Sequence, residues 1–140
     1  MRGLTLLLVV FTLLGAAAAT AGSEPGPQAI RLVWVQTSSH PNGKQGSWTS
    51  QLLNATRQFG KPAGVKVGAE VGISHGSNYV GGVKLPGGVL EYSGKVRHLP
   101  RDGGIVVPVV DGSGTFAGVT GTYTRSGSHP TIVVLRLRYP

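Results

Sequence analysis

Of the five acidic side chains in this 140-residue chain, Glu70 stands in the context best suited to chemistry. It lies in GVKVGAEVGIS, where Val65, Val67, Ala69, Val71 and Ile73 alternate with Lys66, Gly68, Glu70, Gly72 and Ser74. A period of two is that of a strand with one buried face, and the apolar set is expected to be that face. If the other face lines an interior, Glu70 is a desolvated carboxylate able to take or give a proton; if it points outward, Glu70 is an ordinary solvated acid. Tyr92 alternates with Glu91 and shares a face with Leu90 and Val96, so it is expected to turn inward, either as a hydroxyl offered to a ligand or as a core tyrosine. Glu70 and Tyr92 are the candidate catalytic pair. Trp34, between Val33 and Val35, is either core or ligand wall, and Tyr79 in NYVGGVKLP is a further candidate ligand contact.

Other chemistries have less to stand on. His40, His75, His98 and His129 lie in turn-like surroundings at no regular ligand spacing, and the chain has no cysteine, which excludes thiolate metal sites and disulfides. Neither a metal nor a cofactor is expected. Serine, histidine and aspartate are all present, but no nucleophile elbow accompanies them. The Gly-rich stretch PVVDGSGTFAGVTGTY, Pro108 to Tyr123, looks superficially like a phosphate loop. Such a loop needs a helix directly after it, whereas TFAGVTGTYTRSGS is strand and turn chemistry.

The elements that would position these groups are short strands. IRLVWVQT is β-branched and aromatic, HPNGKQGS is turn chemistry, and WTSQLLNATRQF has helical length but a Thr, Ser and Asn content that argues against a helix. NYVGGVKLP and GGVLEYSGKVR are joined by the hairpin signal PGG; GIVVPVV carries Pro108, which suits an edge, a bulge or a strand end; GTYTRS and TIVVLRLRY close the chain. Seven or eight short strands suggest a sandwich or a closed barrel, and the glycines inside several of them favour a strongly curved sheet, hence an all-β antiparallel barrel. Asn54-Ala55-Thr56 fits an N-glycosylation acceptor.

Ahead of the barrel, MRGLTLLLVVFTLLGAAAATA has Arg2, an apolar run from Leu4 to Leu14, and small residues at Ala19 and Ala21. That order is a secretory leader, 1–21, and its apolar run is shorter than the roughly 20 residues of a spanning helix. The expected organisation is a leader, a Pro- and Gly-rich lead at 22–29, and one barrel domain at 30–140, secreted to the extracellular side. Thirteen Lys and Arg against five Asp and Glu leave a net charge of +8. A basic exported protein is drawn to anionic wall polymers, but no two Lys or Arg residues are adjacent, so no specific nucleic-acid partner is expected.

Four segments, in order, carry a family resemblance: VGAEVG from Val67 to Gly72, VKLPGGVLEYSG from Val83 to Gly94, the PVVDGSGTFAGVTGTY corner, and VVLRLRY at the end. Together they resemble the barrel family of dirigent proteins and allene oxide cyclase, across most of 30–139. The resemblance implies an eight-stranded antiparallel barrel with an apolar lumen, often a homodimer or homotrimer. It also implies an activity class, the stereoselective coupling or cyclisation of a small apolar molecule. On the family's positions Gln36 stands in the first strand in place of a carboxylate, Thr115 where dirigent proteins often have Asp, and Thr120 where they have Arg. Gln36, Thr115 and Thr120 thus join the candidate ligand contacts, while the family's own catalytic groups are not carried over. Two functions follow. One is a secreted barrel that binds a small apolar molecule and guides its cyclisation or coupling, as a cyclase, isomerase or dirigent-type auxiliary. The other is a non-catalytic extracellular protein attached to anionic polymers.

Overall fold

A computed structural model describes residues 28–140, and the expected leader and most of the lead lie outside the described residues. Nine strands follow one another: β1 (Gln28–Asn42), β2 (Gln45–Asn54), β3 (Lys66–His75), β4 (Asn78–Leu85), β5 (Gly88–Lys95), β6 (Arg97–His98), β7 (Ile105–Gly112), β8 (Thr120–Arg125) and β9 (Ile132–Arg138). The order β5-β4-β3-β2-β1-β9-β8-β7 is closed by pairing of β5 with β7, all antiparallel, giving an eight-stranded barrel; the two-residue β6 is an extra strand beside β7. No helix among the described residues is long and apolar enough to cross a membrane.

The stretch WTSQLLNATRQF forms most of β2 and then a loop. Asn54 ends the strand with its side chain buried, and its amide donates to the carbonyls of Gln58, Lys61 and Pro62 at 2.8, 3.1 and 3.3 Å. The glycosylation reading of Asn54 therefore fails in the folded chain, because the nitrogen a sugar would need is committed to holding the loop.

The inward-facing residues fill the barrel in two zones. Leu32, Leu52, Val83, Leu90, Val107 and Leu135 are among the aliphatic core, and a single 3₁₀ turn, Gly114–Phe116, folds Phe116 and then Val119 into it between β7 and β8. Pro108–Tyr123 is thus a barrel corner. Pro108 comes just before Val109, the residue at which the pairing of β7 with β5 begins, and the two strands then shift register between Val109 and Asp111. A residue without a backbone N–H is tolerated where the ladder ends.

The expected facing of β3 is corrected over most of its length. Opposite β2, Leu52 pairs with Gly68 and Leu53 with Lys66, so Val67 is an extra residue that slips the alternation by one. Val67 is buried, but beyond it Glu70 and Gly72 turn inward while Val71 and Ile73 are 57% and 58% exposed on the outer wall. A bulge moves the acid, rather than the valines, into the lumen.

Candidate functional site

Antiparallel connectivity puts the β1–β2, β3–β4 and β8–β9 turns at one end of the barrel and the 3₁₀ corner and both described chain ends at the other. The lumen toward the first end is aromatic and charged. Glu70 lies 1% exposed, and its Oε2 accepts hydrogen bonds from the indole N–H of Trp48 at 2.7 Å and of Trp34 at 3.0 Å. Nη1 of Arg125 is 3.8 Å from the same oxygen, an ion pair too long for a hydrogen bond. The guanidinium carbon sits 4.7 Å from the centre of the Trp34 ring and 5.2 Å from that of Trp48, within cation–π range of both. Tyr79 packs on Trp48 with ring centres 5.3 Å apart, and Tyr92 stacks on Tyr123 at 4.5 Å.

The in-strand glycines of β3 and β4 have their reason here. The Trp48 indole lies across Gly72 and the Tyr92 ring across Gly81, so that a Cβ at either position would collide with the ring. Five large aromatic side chains, Trp34, Trp48, Tyr79, Tyr92 and Tyr123, crowd this zone, and the wall beneath two of them has no side chain.

Satisfaction of polar groups is incomplete in this zone. Glu70 Oε1, Ser50 Oγ, Tyr92 Oη, Tyr123 Oη and Arg125 Nη1 are buried without a hydrogen-bond partner among the described residues. Ser50 and Glu70 are direct partners across β2 and β3. Both phenols are pushed well above their usual range, first by burial and then by the Glu70 charge, with Arg125 opposing. Tyr123 approaches the carboxylate closely enough to feel it without completing a hydrogen bond. The arrangement holds one unpaired carboxylate oxygen as acceptor, neutral phenols as donors, and aromatic faces on several sides.

Four of the seven residues singled out in the sequence meet here: Glu70, Tyr92, Trp34 and Tyr79. Three do not. Gln36 shares the face of β1 that carries Leu32 and Trp34 and stands opposite Ser50, but it is exposed, just before an irregularity that shifts the strand's register. Thr115 lies exposed on the 3₁₀ corner at the far end, and Thr120 opens β8 with its side chain outside. Trp48, Tyr123 and Arg125 went unremarked in the sequence. The signal was the strict alternation of Gly121, Tyr123 and Arg125 on one face of GTYTRS, and of Trp48, Ser50 and Leu52 in β2.

No protein-family model and no curated protein matches the chain. Among solved structures twelve chains match, one of them a pyocyanin demethylase with a TM-score of 0.62 and 14% identity, covering 79% of this chain and all of that one. At that identity the likeness establishes a shared barrel fold. Residue roles are not transferred by it.

Proposed function

We propose that this is an exported small-molecule-binding barrel whose ligand enters at the Trp34, Trp48 and Tyr79 end and is held against Glu70. The observation that carries the reading is the convergence of buried polar atoms without partners on one stretch of lumen. Each such atom costs roughly 1 to 3 kcal/mol when left unmade, and a molecule that supplies donors and acceptors there recovers that cost. The flat aromatic walls favour a small, planar, largely apolar ligand. The name of the barrel neighbour, a demethylase of pyocyanin, supports a small molecule as the occupant of such a fold.

The chemistry available is proton transfer. Glu70, with Oε2 held by two indoles, presents Oε1 to an acidic proton of the bound molecule; the proton moves to Oε1 and the ligand keeps the electron pair. Tyr92 and Tyr123, kept protonated by burial, donate to an oxygen or nitrogen on which that charge develops. A rigid barrel that fixes ligand conformation and moves one proton suffices for an isomerisation or a ring closure. The polymer-binding alternative rests on Arg136 and Arg138, exposed on the outer face of β9, a surface that does not compete with the lumen.

Native mass spectrometry of the secreted protein tests the reading. A bound organic mass is expected in the parent and is expected to be lost in the Tyr92→Phe, Tyr123→Phe double variant. A naked chain, together with tryptophan emission that no planar aromatic compound perturbs, overturns it.

A further inference from the structure

This inference rests on the lumen-binding reading and narrows its ligand. We propose that the molecule taken at Glu70 is a planar, delocalised cation, and that the Arg125 guanidinium holds the place its charged ring takes. A guanidinium is itself flat, delocalised and positive. Here it is held by its faces and its charge: it lies over Trp34 and Trp48 and 3.8 Å from Glu70, and its Nη1 makes no hydrogen bond among the described residues. Two indoles and a carboxylate form the kind of cage that recognises a cation by ring quadrupole and charge together.

Arg125 is also the member of the cluster best placed to leave. It is the last residue of β8, at the mouth of the barrel, and its side chain is 17% exposed where that of Glu70 is 0%. Exchange then selects by charge. A neutral molecule that pushes Arg125 into water leaves a buried carboxylate with no counter-charge, an expensive state. An anion adds a second negative charge beside the first. Only a cation restores the pair, and only a flat one restores the contacts with both indoles. The remaining titratable groups of this zone, Tyr79, Tyr92 and Tyr123, contribute no positive charge that would oppose it. The lumen thus prefers cations in a chain whose net charge is +8.

Trp34 and Trp48 are the chain's two tryptophans, so indole emission reads this site directly. The experiment titrates the full-length secreted protein with 1-methylquinolinium, with neutral quinoline at pH 7.5 and with 2-naphthoate, and confirms saturable binding by calorimetry. The same series is run on Arg125→Met, which keeps the packing length without the charge, and on Glu70→Gln. The cation is expected to bind wild type at least tenfold more tightly than quinoline, and to gain a further tenfold in Arg125→Met, where its internal competitor is gone. Glu70→Gln is expected to remove the preference. Quinoline binding wild type as tightly as the cation overturns the charge inference and leaves the lumen reading standing. Naphthoate binding best, and losing affinity in Arg125→Met, makes Arg125 an anion receptor and also overturns it. No binding of any of the three by folded wild type and folded Arg125→Met sinks both readings. Should Arg125→Met fail to fold, the wild-type comparison of cation with quinoline still decides.

Discussion

Tyr92 and Tyr123 bury two stacked phenols whose hydroxyls find no partner among the described residues, and this has opposite consequences for stability and for binding. Replacing an unpaired buried hydroxyl by hydrogen removes a desolvation cost, so Tyr92→Phe and Tyr123→Phe are expected to melt within about 1 kcal/mol of the parent or slightly above it. Ligand affinity is expected to fall about tenfold in each, the worth of one hydrogen bond, as read by titration of tryptophan emission. The same two groups set an alkaline limit. Their folded pKa values lie above the ordinary 10.0, so as pH rises past that value the unfolded chain releases protons that the folded one retains. Stability from these groups is therefore complete below pH 10 and declines above it, by roughly 1.4 kcal/mol per pH unit for each tyrosine. Urea melts between pH 9 and 11.5 should show that slope in the parent and about half of it in either Phe variant. At this scale the sequence was partly legible. Glu70, Tyr92, Trp34 and Tyr79 declared themselves by alternation or by their position between apolar neighbours. Arg125 did not, because an arginine ending a short strand reads as surface until its neighbours across the barrel are known.

Strand β3 shows why facing is harder to read than strand identity. The alternation from Val65 to Ile73 marks a strand whichever side is wet, and a strand is there. Its phase depends on Val67, a bulge residue defined only by the partner strand, which no local pattern encodes. The Pro108–Tyr123 corner was more legible, because glycines needed for close approach are visible one by one. Gly114 has φ 62° and backs onto the Gly87 carbonyl, while Gly121 backs onto that of Arg136. Gly114→Val and Gly121→Val are each expected to lower stability by about 1 to 3 kcal/mol in denaturant melts, from the left-handed backbone in the first and backbone collision in both. Gly81→Ala is expected to cost a comparable amount through displacement of the Tyr92 ring, and to weaken ligand binding as well. Melts of the three variants indistinguishable from the parent would mean that these close approaches do not exist.

The whole molecule is a closed sheet divided along its axis, apolar and uncharged toward the 3₁₀ corner and aromatic and charged toward the opposite turns. Closure was legible from strand spacing and in-strand glycine, since a sheet that curves this tightly needs positions without Cβ. The division was not, because it arises from residues of six strands, β1 to β5 and β8, that are far apart in sequence and meet only in the folded barrel. The claim that this aromatic zone is a ligand site, with Arg125 as its removable member, is tested most directly by a crystal structure of the protein grown with 1-methylquinolinium. The account predicts the ring stacked on Trp34 and Trp48 beside Glu70, with the Arg125 guanidinium turned out toward solvent. Density showing Arg125 unmoved over both indoles, with the compound absent or bound only on the outer wall, would contradict it.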